Sequence, residues 1–217
     1  MTTSPKRRVL GLACAASGGL GVGAGVLTIV WPPAVADDVW SYPFPYGVGL
    51  ALGVALAIVH VMTLGGLVAV RSLGQRRAAT LGLSAAIAGL AALAVAEAAG
   101  GVIGDQRTDS TSAQTIGALF GVVSLLLAAG SITAGLVLVR ARRRRSLGWP
   151  ILLSGLTLLG VVTPANIIGN LPFRMAALML WSAFFVALGA ALARKPGLAR
   201  PPAESDRTVS AAAAPAR

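Results

Sequence analysis

The chain has 217 residues, of which 56% are hydrophobic and only 12% charged. A soluble domain carries about 25% charged residues, so this composition excludes a water-covered globule and predicts a polytopic membrane protein. The net charge of +11 does not point to nucleic acid, because the cations sit in short clusters between apolar stretches, as the positive-inside rule requires.

The expected fold class is all-α, a membrane bundle of six transmembrane helices with both termini cytoplasmic. Residues 1–8 form a basic head, 9–193 the transmembrane domain and 194–217 a disordered cytoplasmic tail. The head carries Lys6, Arg7 and Arg8. The first span, 9–30, has 22 uncharged residues, about 33 Å as a helix. A secretory signal with Ala34-Val35-Ala36 as its cleavage site is the rival, and Arg7-Arg8 matches a twin-arginine pair. The apolar run is longer than the usual signal core of about 7–15 residues, which favours an uncleaved helix. Gly19-x-x-x-Gly23 and Gly21-x-x-x-Gly25 offer spacings for close helix approach.

Residues 31–46 contain four prolines, which exclude a regular helix. Trp31, Trp40, Tyr42 and Tyr46 suit the membrane–water interface. The plain reading is an aromatic belt. The functional one is a lid or a docking loop formed by Asp37, Asp38, Trp40, Tyr42 and Tyr46. The second span, 48–70, carries His60, the chain's single histidine, with Leu56, Ala57, Thr63 and Leu64 as helix neighbours. A buried structural imidazole and a proton relay both fit. The third span, 78–103, carries Glu97 towards its outer end, on a small face with Leu93, Ala94, Gly100 and Gly101. An ionisable group inside a span is costly and marks a candidate site. A structural ion pair with Arg174 is the competing explanation. The single helix rise puts His60 about 10 Å deeper than Glu97.

The fourth span, 116–139, runs into Arg140-Ala141-Arg142-Arg143-Arg144-Arg145. Its Ser124, Ala128, Ser131 and Gly135 share one face and read as a packing stripe. The fifth span, 147–168, contains Pro164, which displaces the carbonyl of Gly160. Thr163, Asn166 and Asn170 lie at the same outer level. If spans three and five are neighbours, Glu97, Asn166 and freed carbonyls form a polar pocket opening outward, with oxygen ligands suited to a hard cation or a proton. Otherwise Asn166 and Asn170 cap a helix end. The sixth span is 173–193.

Sixteen of the 18 basic residues fall on the side of the termini, leaving only Arg107 and Arg174 opposite. That split sets the predicted orientation. Gly66-Leu-Val-Ala-Val-Arg71 and Gly135-Leu-Val-Leu-Val-Arg140 end spans two and four. Leu81-Gly82 with Gly89-Leu90 and Leu147-Gly148 with Gly155-Leu156 follow at identical internal spacing. Either a helical hairpin is duplicated or the match is compositional.

Cys14 is the single cysteine, so no intrachain disulfide and no Cys/His metal set can form. No nucleophile–base pair, phosphate loop or dinucleotide fingerprint is present. No catalytic residue, metal or cofactor is therefore expected. The stretch Asp37-Asp38-Val39-Trp40-Ser41-Tyr42-Pro43-Phe44, after a first helix and within a six-span layout with an arginine-rich inner loop, resembles uncharacterised six-helix integral membrane proteins of actinobacteria. The resemblance implies a bacterial cytoplasmic membrane setting and no activity.

Two functions follow. The first is a non-enzymatic accessory or interaction subunit, with the lipid bilayer, a membrane-protein partner or a second copy as its surroundings. The alternative is a small ion- or proton-coupled transporter using Glu97, Asn166, Asn170 and His60. A cavity reaching Glu97 favours the transporter, and a Glu97–Arg174 pair in a dry bundle opposes it. An intramembrane enzyme would need Asp37, Asp38, Glu97 and Asp105 to cluster.

Overall fold

The computed structural model describes residues 5–73, 76–141 and 144–194. The end of the expected tail, residues 195–217, lies outside the described residues, as do Arg142 and Arg143 of the arginine run. Among the described residues the fold is all helical, with a single isolated bridge between Val39 and Arg107. Six helices are long and apolar enough to cross a membrane: α1 (Pro5–Val30), α2 (Tyr46–Arg71), α3 (Arg77–Val102), α4 (Thr111–Arg140), α5 (Arg145–Ile168) and α6 (Leu171–Ala193). Together they define a multi-pass integral membrane protein.

The helix limits follow local chemistry. Lys6, Arg7 and Arg8 of the expected head lie in the first turn of α1, directly after Pro5, whose missing N–H costs nothing at a helix start. Trp31-Pro32-Pro33 stops α1, since proline donates no N–H and clashes with the preceding turn. α4 begins five residues earlier than the predicted span. The Ser110 hydroxyl accepts from the Ala113 N–H at 3.2 Å, an N-cap that satisfies an otherwise orphaned donor. Asn170 does the same for α6, accepting from the Phe173 N–H at 3.1 Å, with Pro172 in the first turn, where its missing N–H costs nothing.

α5 is not regular. Leu158–Val162 is π-helical, directly before Pro164. Proline there removes a backbone donor and pushes the chain outward, and one extra residue in the turn absorbs the mismatch. The Thr163 hydroxyl donates to the Leu158 carbonyl at 2.9 Å, and Asn166 Nδ2 donates to the Val162 carbonyl at 2.9 Å. The Leu158 carbonyl thus accepts both the backbone N–H and the hydroxyl of Thr163.

Each helix packs against its chain neighbours, and α6 closes the ring on α1. Small residues form the seams at seven-residue spacing. Gly11, Gly18 and Gly25 of α1 face α6; a β-carbon on Gly18 would stand 2.7 Å from the Ser182 carbonyl oxygen and the Val186 nitrogen. Gly82 and Gly89 of α3 face Ala134, Gly130 and Leu127 of α4, while Gly148 and Gly155 of α5 face the opposite flank of the same helix. A strict seven-residue repeat keeps one seam in register between slightly supercoiled helices. In membranes, where lipid is as apolar as leucine, such close approach supplies the packing energy.

The two hairpins with matching spacing do not pack alike. If the hairpins were duplicates in packing, Gly82 would face its own hairpin partner α2, as Gly148 faces α4. It faces α4 instead, and Gly66 meets Cys14 of α1 while Gly135 meets Leu152 of α5. The shared spacing marks two heptad seams on α4. The spacing Gly19-x-x-x-Gly23 is not a seam, since both positions have nothing within 4 Å; Gly21 and Gly25 do meet α6, at Ser182 and Met179.

The core runs through Leu67, Leu83, Leu90, Leu127, Leu138 and Leu188, all fully buried. The outer surface is as apolar: Leu81 is 70% and Ile168 81% exposed. Such a surface suits contact with lipid. At the end that carries the termini, the Arg144 guanidinium donates to the Leu73 carbonyl at 2.7 Å and ties the α2–α3 turn to the α4–α5 turn.

Candidate functional site

The half of the bundle near the termini is closed. A β-carbon on Gly66 would lie 2.6 Å from the Cys14 sulfur, so α1 and α2 touch there. The Cys14 thiol donates to the Phe185 carbonyl at 3.5 Å. One turn further, the Ser17 and Thr63 hydroxyls bond across the same seam at 2.7 Å. Ser17 also donates to the Cys14 carbonyl and Thr63 to the Val59 carbonyl. Two hydroxyl protons serve three contacts, so one proton alternates between a partner helix and its own backbone.

Above this seal the helices separate. A cavity of about 690 Å³ fills the half of the bundle opposite the termini and is bordered by all six helices. His60 and Trp181 form its floor, with ring centroids 6.0 Å apart. Trp181 meets Phe185 edge to face at 5.0 Å, a favoured aromatic geometry. His60 is 6% exposed. Its Nδ1 makes no hydrogen bond of good geometry, although the Leu56 carbonyl one turn back lies beside it.

Glu97 of α3 borders the cavity wall, as do Asn166 of α5 and Ser124 of α4. Among the described residues nothing hydrogen-bonds or ion-pairs with the Glu97 carboxyl. The expected pair with Arg174 does not form, because Arg174 Nε donates to the Gly169 carbonyl at 2.8 Å in the α5–α6 turn. Asn170 is the α6 cap and does not border the cavity. Spans three and five are not packed neighbours; Glu97 and Asn166 meet only across the cavity. Asp37, Asp38 and Asp105 stay in the loops away from it, so no acidic cluster joins Glu97.

The loop between α1 and α2 roofs the cavity. Phe44 is buried and packs on Trp31 at 5.2 Å between centroids. Trp40 lies over α3, its Nε1 3.2 Å from where a β-carbon on Gly100 would stand, and its ring is 6.4 Å from Phe120 of α4. Glycine at position 100 makes room for that indole. Trp40, Ser41, Tyr42 and Phe44 all border the cavity. Tyr46 is exposed at the start of α2, its hydroxyl 3.5 Å from the Val102 carbonyl.

The roof is fastened to the α3–α4 loop. The N–H groups of Trp40 and Ser41 donate to the carbonyls of Gln106 and Gly104 at 2.9 and 3.0 Å, and Thr108 N–H donates to the Asp38 carbonyl at 2.7 Å. Arg107 pairs with Asp38 at 2.6 Å and with Asp109 at 3.3 Å. The Asp109 hydrogen bond and charge, then the Asp38 charge, hold the Arg107 proton more tightly than usual. Arginine is protonated throughout the working range in any case. Asp38 is thus engaged within the chain, while Asp37 is exposed.

A side opening adjoins the roof. α4 and α5 touch from Gly155 against Ala128 towards the termini. Beyond that point they diverge: β-carbons on Gly117 and Gly121 would have nothing within 4 Å. Asn166 and Ile167 border the cavity and are also exposed. The π-helical turn sits where the two helices part.

Fold and cavity together define a multi-pass integral membrane protein with a roofed central cavity holding one unpaired carboxyl. No protein-family model matches the chain, and neither curated proteins nor solved structures give a match.

Proposed function

We propose that the protein is a small carrier that binds its cargo in the central cavity, with Glu97 as the group that exchanges a cation or a proton. The observation that carries this reading is an unpartnered carboxyl on the wall of a 690 Å³ cavity. A charge inside a bilayer is costly unless a counter-charge or a proton meets it, and among the described residues no Lys, Arg or His pairs with Glu97. Retaining such a group without a structural partner fits a ligand that arrives and leaves. Asn166 Oδ1 and the Ser124 hydroxyl are further polar groups on the same walls. Of the docking-loop residues on which the accessory-subunit reading rests, Trp40 and Asp38 are engaged within the chain and Tyr42 borders the cavity, which leaves Asp37 and Tyr46 exposed for a partner.

The test is thermal stability in lipid nanodiscs across pH and a panel of cations, for the wild type and Glu97→Gln. A ligand that binds only the folded state raises its stability, by about 2.7 kcal/mol at a hundred times its dissociation constant. Wild type is expected to respond to a cation or to pH, and Glu97→Gln to lose that response. Equal responses from both proteins would return Glu97 to a structural role.

The proposed orientation puts the termini in the cytoplasm of a bacterial cell, on the strength of the basic clusters at that end, and the proposed kinship is with the actinobacterial six-helix proteins. Cys14, the native cysteine, is buried, so introduced cysteines report single sites. A membrane-impermeant maleimide added to intact cells is expected to label Asp37→Cys, and to label Ser72→Cys only after permeabilisation. The reverse pattern would invert the topology.

A further inference from the structure

The cavity that holds Glu97 is large and mostly apolar in its walls. Leu56, Leu93, Leu158, Val162 and Met175 border it alongside Trp181. A bare inorganic cation needs about six to eight oxygen ligands for calcium, or six in tight octahedral geometry for magnesium. The cavity offers one carboxyl. Asn166 has committed its Nδ2 and Thr163 its hydroxyl proton to their own helix. Among the described residues no group of three or more His, Cys, Asp or Glu comes together. A volume of 690 Å³ lies within the range of about 300–1,000 Å³ typical of small-molecule sites, and apolar walls reward an apolar body.

Two aromatic rings lie one helical turn along α3 from Glu97. Gly100 is one helical turn from Glu97, so both fall on the same side of α3. The Trp40 indole lies over Gly100, with Phe120 beside it. Ring faces attract organic cations, most of all when both are shielded from water. The divergence of α4 and α5 at Gly117 and Gly121 gives a side entrance from the bilayer, where hydrophobic cations concentrate.

We infer that the cavity is a binding site for a hydrophobic organic monocation, such as a substituted ammonium or phosphonium, with Glu97 as counter-ion and the Trp40–Phe120 pair as its aromatic wall. The inference rests on the reading of Glu97 as a cation-exchanging group and names the class of cation.

The probe is tetraphenylphosphonium, with tetraphenylborate as a partner of the same shape and opposite charge. Binding to the full chain in nanodiscs is followed by tryptophan fluorescence and calorimetry, with empty nanodiscs subtracted. Saturable tetraphenylphosphonium binding is expected in the wild type. Glu97→Gln is expected to weaken it about tenfold or more and Glu97→Asp to retain most of it. Trp40→Leu is expected to weaken it about fivefold, the scale of one lost cation–ring contact. Each variant is first checked for an unchanged melting profile, and Trp40→Leu and Glu97→Asp keep the test open if Glu97→Gln fails to fold. Equal binding of the borate overturns the inference, leaving an apolar or lipid-filled cavity. No phosphonium binding, with an intact Glu97-dependent response to sodium or pH, overturns the organic cation while sparing the carrier reading. Loss of both responses overturns both.

Discussion

Leucine at Gly18 is expected to disrupt the bundle, while leucine at the adjacent Gly19 leaves it folded. The two glycines are neighbours in sequence and sit at the same depth, so bilayer level and helix propensity are almost equal for both. Only their surroundings differ. A β-carbon at Gly18 meets backbone atoms of α6 at 2.7 Å, and at Gly19 it meets nothing within 4 Å. Backbone cannot rotate away as a side chain can, so α1 and α6 must separate along the seam set by Gly11, Gly18 and Gly25. Overpacking a close seam costs about 1–3 kcal/mol and sometimes more, and the rigid neighbours here place Gly18→Leu at or above the upper end. Gly19→Leu is expected to fall within about 0.5 kcal/mol of wild type, the usual range for substitutions away from any packed feature. Melting in detergent, read by tryptophan fluorescence and confirmed by elution as a single species, separates the two. Similar losses at both sites would mean that the α1–α6 seam is not where α1 gains its packing.

The same pair of residues shows what the sequence could and could not convey. Six spans were legible because every apolar run long enough to cross a bilayer is bounded by arginine, proline, glycine or, before the fourth span, a Ser/Thr/Gln stretch. Which glycines pack was not. Gly19-x-x-x-Gly23 has the spacing of a contact motif and faces outward, whereas the working seam repeats every seven residues, a period hidden among 27 glycines. The two hairpins share glycine spacings but do not pack alike, since Gly82 faces α4 and Gly66 faces α1.

The candidate site was legible in part for a similar reason. Glu97 and His60 stand out as ionisable groups in apolar runs, and both border the cavity. Asn166 also reaches it, because Pro164 drives the chain through a π-helical turn. Asn170 and Arg174 were grouped with them by level alone. Level does not specify direction around a helix, and both turn into the α5–α6 connection as a cap and a carbonyl partner. Ser17 and Trp181 were missed altogether, and Thr63 stood out only as a helix neighbour of His60. Their only signal is position: each faces a neighbouring helix that is remote in the chain. Nor does the loop sequence reveal that Trp40 folds inward, since that depends on Gly100 leaving space sixty residues away.

Trp181→Ala is the second substitution with a large expected effect. α2 and α6 have little direct packing between them, and the Trp181 ring fills that gap, standing against His60 on one side and Phe185 on the other. Truncation removes those contacts and enlarges the cavity, which Ser17 and Thr63 already border. Tryptophan-to-alanine changes in cores cost about 3–5 kcal/mol, of which part is the void left behind. In a bilayer interior that void is a loss of dispersion contacts with nothing to replace them. Trp181→Phe keeps the ring against Phe185 and is expected to recover about half of the loss by the same reasoning. Trp149→Ala is the matched control: Trp149 is 41% exposed, with Arg145 5.9 Å from its ring, and its removal is expected to cost about 1 kcal/mol or less. Thermal melts of the three variants against the wild type decide the matter. If Trp149→Ala costs as much as Trp181→Ala, the floor carries no special share of stability. The cavity would then be closed below by the α1–α2 seam alone, at Cys14, Ser17 and Thr63.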